Sequence, residues 1–213
     1  MPGVAPGPEP IGTIWHIALP GAPPPVEPAL PAAFERLGVE AAPELARAMG
    51  LADARQVQQR FDGGRRCYAA RAQGRLAAYG WVSFGGESVG SLALQLRLLP
   101  GEAYIWDCAT LPAFQRQGLY AALLGHIIAA LAAERLRGVW IGADFHNQPS
   151  HAGINRAGFT ALADLVAAPA APSQRRRRGW LQARPGITPA QQAEAERVYL
   201  GGCKEVWLFD EGE

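Results

Sequence analysis

Residues 103–124, AYIWDCATLPAFQRQGLYAALL, contain the transition on which the interpretation of this chain depends. The first part, AYIWDCATL, is mostly apolar, with one charged residue, Asp107, and is of the kind found in buried strands. Pro112 follows it, and a short polar loop with a single glycine, Gly118, comes next. An apolar helical pattern then begins at once, with leucine or isoleucine every four residues from Leu119 to Leu131. The predicted order is a buried strand, a tight polar loop and a helix.

The loop QRQGLY has the properties of an anion-binding site. The first turn of a helix leaves its backbone N–H groups unpaired, and the helix dipole favours negative charge there. Gly118 allows close approach to the backbone, while Gln115 and Arg116 add side-chain donors. These features predict a phosphate or pyrophosphate cradle. The chain contains neither G-x-G-x-x-G nor G-x-x-x-x-G-K-[ST], so a plain tight connection remains the alternative for the loop taken alone.

The elements around this motif predict an α+β fold with a partly parallel centre. Residues 32–62 are predicted to be helical, with a stop at Gly50, and two strands joined near Gly74 follow them. Residues 91–99, SLALQLRLL, alternate as a half-buried antiparallel strand. The later elements are a helix over 119–135, a strand over 138–145, a helix over 147–158, further strands, a helix capped by Thr188, and a last strand, KEVWLFD.

Two blocks of the sequence resemble the GNAT superfamily of N-acyltransferases. CATLPAFQRQGLYAALL is similar to its acyl-CoA signature, with Pro112, Gln115 and Gly118 in place and Tyr120 where Gly or Ala is usual. NQPSHAGINRAGF is similar to its second block, with Asn147, Ser150, Gly158 and Phe159 in register. The resemblance spans residues 65–165. It implies a mixed, mostly antiparallel sheet flanked by helices, with splayed central strands that form an acyl-CoA cleft.

The resemblance also implies which residues bind acetyl-CoA. The backbone of the splayed strand would bond the pantetheine arm as an added strand does. The loop and first helical turn would hold the pyrophosphate, and Asn147 would bond a pantetheine amide. A backbone N–H would polarise the thioester carbonyl. The expected binding residues are Cys108, Ala109, Thr110, Gln115, Arg116, Gln117, Gly118, Leu119, Tyr120, Ala121, Asn147 and Ser150.

The usual catalytic acid and base of the superfamily are missing. The position of its strand carboxylate, six before Thr110, is Tyr104, and the position of its acidic tyrosine is Ile154. Strand alternation places Tyr104 and Cys108 on one face and Asp107 on the other, unless a bulge rotates the strand. Tyr104 is therefore the candidate catalytic residue, as the holder of a water that relays the proton of the amine.

Other residues with chemical potential have plainer explanations. His146 and His151 lack companion ligands, so no metal is expected, and Cys108 is expected to be a core residue rather than a nucleophile. His151 could act as a water-linked base, although a surface role is favoured. Arg175–Arg178 could bind an acidic substrate or nucleic acid, but a solvated loop or strand edge is the stronger interpretation.

The composition limits the class of protein. The chain has 213 residues, 49% hydrophobic and 18% charged, with a net charge of +1 and three cysteines. No nucleic-acid or membrane partner is expected at this charge, and three unpaired cysteines with no signal-peptide pattern favour the cytoplasm. A homodimer is allowed. The division expected is a proline-rich segment with a first strand over 1–31, the acyltransferase domain over 32–185, and a C-terminal helix and strand over 186–213.

The function expected is transfer of an acetyl group from acetyl-CoA to a primary amine on a small molecule or peptide. One alternative is a catalytically weak CoA-binding or regulatory module of the same fold, suggested by Tyr104 and Ile154. A second alternative is an interaction protein whose proline-rich segment fills an aromatic groove, although a stiff linker or surface strap explains that composition better.

Overall fold

The computed structural model describes residues 7–21, 26–89, 94–169 and 176–209. Eleven strands and five α-helices occur in this part of the chain. The strands are β1 (Glu9–Ala18), β2 (Ala33–Leu37), β3 (Arg66–Ala72), β4 (Arg75–Ser83), β5 (Gly86–Val89), β6 (Leu94–Arg97), β7 (Glu102–Thr110), β8 (Gly138–Asp144), β9 (Thr160–Ala167), β10 (Arg176–Ala183) and β11 (Glu205–Phe209). The helices are α1 (Ala42–Ala48), α2 (Arg55–Asp62), α3 (Leu119–Ala133), α4 (Gln148–Arg156) and α5 (Pro189–Leu200).

Nine strands form one sheet in the order β11-β10-β9-β1-β8-β7-β4-β3-β2, and β5 pairs with β6 in a small second sheet. The β7–β8 pair is parallel, whereas the other described pairs are antiparallel. This is the α+β architecture that the sequence predicted, a mostly antiparallel sheet flanked by helices.

The two central strands β7 and β8 separate part-way along their length. Their paired register runs from Glu102 and Gly138 only as far as Ile105 and Ile141. Both strands continue beyond that point, β7 to Thr110 on the edge of β4 and β8 to Asp144 on the edge of β1. The predicted splay is therefore present, and it leaves one backbone edge of each strand facing a gap.

The strand β1 lies in the middle of the sheet. It pairs with β8 from Gly12 to Ala18 and with β9 from Glu9 to His16. Ile14 and Trp15 are buried, and Ile14 packs among the side chains of β6, β9 and α5. The apolar stretch between the two proline-rich segments thus supplies a central strand, which joins the C-terminal strands to the rest of the sheet.

Two expectations about the outer elements need correction. Residues 33–37 are the edge strand β2 rather than helix. They pair with β3 in a register that runs from Ala33 opposite Arg71 to Leu37 opposite Cys67. Of the alternating leucines, Leu94 and Leu96 lie in β6, which belongs to the small sheet and ends at Arg97 rather than at Leu99; residues 90–93 are outside the described part. The buried positions Leu94, Leu96 and Leu98 do follow the predicted alternation.

Helices cover both faces of the large sheet. The helix α3 packs its buried leucines and isoleucines against β3, β4 and β7, while α5 covers β9 and β10 on the other face. A capping box at Thr188 starts α5 where the sequence predicted it. Within the described residues, no helix is long and apolar enough to cross a membrane.

Two residues of the arginine run form ion pairs. Arg177 contacts the Glu9 carboxylate at 2.9 Å, and Arg178 contacts Glu205 at 3.4 Å. Arg176–Arg178 are the first residues of β10 and pair with β11, the outermost strand of the sheet, so they lie in a paired inner strand rather than in a loop or on an edge strand; Arg175 lies outside the described residues.

The central position of β1 predicts a large stability difference between two isoleucines of one strand. Ile14→Ala should lower the free energy of unfolding by about 2–5 kcal/mol, since Ile14 is fully enclosed. Ile11→Ala is the matched control because Ile11 is only half-buried, and it should cost less. Urea unfolding of both variants measures the difference, and equal losses would contradict a central β1.

Candidate active site

A β-bulge on β7 begins the candidate site. On β4, Gly80 alone separates the two residues that pair with Ala109 and Trp106, whereas β7 has Asp107 and Cys108 between them. Asp107 has a φ of 43°, which places it in the left-handed region. The extra residue shifts the alternation of side chains along the rest of β7.

Because of the bulge, the Cys108 side chain lies on the opposite face of the sheet from the one predicted. Tyr104 and Trp106 pack on the α5 face, but Cys108 packs on the α3 face with Ile105. A Cβ on Gly80 would lie 2.8 Å from the Cys108 sulfur, so a glycine is needed opposite the bulge. The prediction that Tyr104 and Cys108 share a face is therefore wrong, because a β-bulge rotates the strand between them.

Asp107 is turned away from the sheet by the same bulge. Its carboxylate forms a 2.5 Å ion pair with Arg60 of α2. The Arg60 guanidinium also lies 4.6 Å from the Trp106 ring centroid and 5.1 Å from that of Trp81. Asp107 is thus held on the α2 side of the sheet rather than in the cavity described below.

The loop after β7 is shaped as an anion cradle. Arg116 and Gly118 have φ values of 62° and 75°, and residues in this conformation turn neighbouring N–H groups toward one side. The first intrahelical bond of α3 runs from the Ala122 amide to the Gly118 carbonyl, so the amides of residues 119–121 precede it. Gln115 ties the loop to the end of β7 through the Thr110 carbonyl, at 3.3 Å.

A cavity of about 670 Å³ joins this loop to the splayed strand. It collects side chains from β7, the loop, α3 and α4. The lining residues are Cys108, Thr110, Phe114, Gln115, Arg116, Gly118, Leu119, Tyr120, Ala121, Pro149, Ser150, Ala152, Gly153 and Arg156. Of the residues predicted from the sequence, Ala109, Gln117, Asn147 and Tyr104 are not part of this lining.

Sequence reasoning missed five residues of the cavity lining, Phe114, Pro149, Ala152, Gly153 and Arg156, and two of them matter most here. Arg156, at the end of α4, has a guanidinium nitrogen 3.7 Å from the place where a Cβ on Gly118 would stand. Gly153, one turn earlier, faces the ring of Tyr120. Both reach the cavity through the packing of α4 on α3, which no local motif reveals.

The end of the second proline-rich stretch, residues 26–32, lies against the loop. Ala29 donates its amide hydrogen to the Gln117 carbonyl at 2.9 Å, and Pro28 is 3.5 Å from the Cβ position of Gly118. Leu30 and Ala32 continue into the core beside α3. Residues 26–32 therefore act as a surface strap that supports one side of the loop; residues 22–25 are outside the description.

Asn147 has a structural role at the start of α4. Its Oδ1 accepts the Ser150 amide hydrogen at 3.2 Å, which makes it the N-cap of the helix. Its Nδ2 group takes no part in the cap. His151 contacts the Asp144 carbonyl at 3.0 Å and the Trp15 ring, while His146 is exposed.

Burial keeps one thiol and two phenols near β7 and β8 neutral. Burial raises the pKa of Cys108 to about 12, so its thiol stays protonated, as expected of a core residue. Burial also raises the pKa of Tyr104 and of Tyr199 on α5. The hydroxyls of these two tyrosines converge on Gly142 of β8, at 3.4 and 3.6 Å from its Cβ position.

The cap predicts how two substitutions of Asn147 differ. Asn147→Ala should lower the free energy of unfolding by about 1 kcal/mol, because the Ser150 amide loses its acceptor. Asn147→Asp keeps an acceptor of the same shape and should cost little. Thermal unfolding of the two proteins distinguishes them, and an equal loss in both would show that the cap is not the source of the effect.

Comparison with known proteins identifies the family. The family model "Acetyltransferase (GNAT) family" matches residues 33–159, which is more than half of the chain and includes the whole cavity lining. No curated protein matches the chain. The match begins at β2 and stops before β9, so β1 and the C-terminal elements lie outside it.

Two solved structures show the same fold at low identity, and a third is similar at a lower score. A putative GNAT acetyltransferase from Novosphingobium aromaticivorans is 23% identical, with a TM-score of 0.50 over 76% of this chain and 66% of its own. A GNAT acetyltransferase from Colwellia psychrerythraea is 15% identical, with a TM-score of 0.52 over 76% and 56%. An aminoglycoside acetyltransferase from an uncultured soil metagenomic sample is 14% identical, with a TM-score of 0.47 over 60% and 87%. This chain thus spans only part of the first two. Through the family match, with the fold in agreement, the chain belongs to the GNAT acetyltransferase family.

Proposed function

We propose that this protein transfers an acetyl group from acetyl-CoA to a primary amine. The observation that carries the proposal is the single cavity that connects the positive-φ loop to the free edge of β7. A nucleotide thioester needs both parts, because one end is a pyrophosphate and the other is a neutral amide chain.

The charges of the cavity suit a pyrophosphate at the loop end. Arg116 and Arg156 supply positive charge there, and the amides of residues 119–121 supply donors at the positive end of the α3 dipole. Among the described residues that line the cavity, none is acidic. The phosphates would therefore meet donors and cations without a repelling carboxylate.

The free edge of β7 suits the pantetheine arm. Beyond Ile105 the strand pairs only on the β4 side, so peptide groups near Cys108 and Thr110 face the gap. An amide chain can bond such an edge as an added strand does. The Nδ2 group of Asn147, which the cap leaves unused, would serve as a further donor to a pantetheine carbonyl.

Attack of an amine on a thioester needs little from the protein beyond holding the two reactants together. A primary amine with a pKa of about 10.4 must lose a proton to attack, and a thiolate with a pKa of about 8.5 leaves readily. Holding the amine against the thioester supplies much of the acceleration. Tyr104 would hold a water that carries the amine's proton toward solvent, since its buried phenol is not itself a base at neutral pH.

The proposal is tested with a panel of amines and acetyl-CoA while free thiol is measured. Thiol release that depends on an amine and exceeds hydrolysis is the expected result. Gly118→Asp should abolish CoA binding in calorimetry, because its carboxylate would meet the pyrophosphate. Gly118→Asn is the matched control: Asp and Asn both tolerate the left-handed backbone at this position, so any difference between them reflects charge.

The outcomes separate the two functional candidates. CoA binding that Gly118→Asp removes, without thiol release for any amine, would favour the CoA-binding module over the enzyme. If the Asp and Asn variants both bind CoA as tightly as the unaltered protein does, the loop is not part of the CoA site.

The pH dependence of turnover should follow the amine rather than the protein. Burial holds the pKa of Tyr104 above its usual value, so this group stays neutral through the neutral range. Turnover should therefore rise with pH as the amine deprotonates, without a fall until well above about pH 8. Tyr104→Phe should cut turnover about 10-fold, short of the ~10²–10⁴ of a positioned general base. A bell-shaped profile centred near neutrality would instead indicate a histidine such as His151.

A further inference from the structure

The cavity has two chemically different ends. The loop supplies Gln115 and Arg116 and the end of α4 supplies Arg156, whereas the strand β7 supplies the neutral groups Cys108 and Thr110. The Tyr120 hydroxyl, from the first turn of α3, interacts with Cys108 and with Ser150 and so belongs to the neutral side. If the phosphates lie at the cationic end, the sulfur of the thioester lies toward the neutral end. The groups that meet the sulfur are then hydroxyls and a thiol.

Tyr120 is held at this end by its fit against α4. A Cβ added to Gly153 would lie 2.9 Å from the Tyr120 Cε1 atom, which is closer than such contacts allow. The ring therefore lies directly on the glycine, and any larger residue at position 153 would displace it. The unusual tyrosine of the first motif and this glycine of α4 form one packing unit.

The Tyr120 hydroxyl group is a donor and not a base. Burial raises the pKa of Tyr120 well above its usual value, the nearby Cys108 acts in the same direction, and a hydrogen bond with Ser150 opposes both. The phenol thus keeps its proton at every pH at which an amine substrate would be acetylated.

We propose that Tyr120 donates a hydrogen bond to the acyl-CoA sulfur as that sulfur leaves. This inference rests on the proposed function, since it assumes an acyl-CoA in the cavity. The amine nitrogen forms its bond to the carbonyl carbon, the carbon–sulfur bond breaks, and the electron pair passes to the sulfur. The Tyr120 O–H then stabilises the thiolate, which later takes the proton that the amine released to solvent.

Other groups in the region are less suited to this task. Ile154, at the family's tyrosine position, is an aliphatic side chain buried in the core. The Cys108 thiol is directed to the Trp106 carbonyl, 3.6 Å away. The hydroxyls of Tyr104 and Tyr199 converge on Gly142, and neither residue lines the cavity.

The test measures the thiol pKa of bound CoA by its thiolate absorbance in the ultraviolet. A hydrogen bond from Tyr120 lowers this pKa, so it should be about one to two units higher in Tyr120→Phe than in the unaltered protein. The ionisable neighbours, Cys108 on β7, Arg116 in the loop and Arg156 on α4, are present in both proteins, and the difference isolates the phenol. Tyr68→Phe is the matched control, because it removes a buried phenol that does not line the cavity.

Turnover supplies the second readout. Tyr120→Phe should lower kcat about 10- to 100-fold, the effect of a hydrogen bond to a charged group, with CoA affinity near that of the unaltered protein. An unchanged thiol pKa in Tyr120→Phe would overturn the inference, whatever happens to turnover. An unaltered protein that binds CoA but acetylates no amine would contradict the proposed function alone, since the thiol titration still decides the role of Tyr120. Absence of CoA binding would overturn both.

Discussion

The separation of β7 from β8 is the constraint on which the rest of the site depends. A sheet normally satisfies its backbone groups between neighbouring strands, and here the pairing stops after Ile105 and Ile141. Each strand keeps a partner on its outer side, β4 for β7 and β1 for β8, so the gap does not unravel the sheet. The bulge at Asp107 bends β7 where the gap opens. The cavity exists because both outer neighbours stay in place.

Tertiary packing then decides which side chains reach that cavity. The bulge sends Cys108 toward α3 and leaves Trp106 on the opposite face with Arg60. The contact between α3 and α4 brings Arg156 beside Gly118 and places Tyr120 on Gly153. The result is a cleft whose described lining residues include hydroxyl groups, a thiol and two arginines but no carboxylate.

The sequence predicted the features that are encoded by neighbouring residues. The strand, loop and helix around Gly118, the strand pair near Gly74 and the Thr188 cap all depend on contacts within a few positions. It failed where a distant partner decides the outcome. Residues 33–37 carry two charges in five positions and become a strand only because β3 offers an edge. The facing of Cys108 depends on Gly80, almost thirty residues earlier, and the roles of Arg156 and Gly153 depend on helix packing.

The position of β1 also bears on how the chain reaches its folded state. Gly12 is paired with Asp144, and His16 with Thr160, so this early strand can be completed only after most of the polypeptide has been made. Contacts of such long sequence separation slow folding, because a large loop must close before they form. Until then the apolar residues around Ile14 and Trp15 are exposed to solvent, and the edges of β8 and β9 that pair with β1 are unpaired. The emerging chain is therefore exposed to strand-to-strand association with its own copies, and a holdase chaperone that binds extended apolar segments would favour its productive folding.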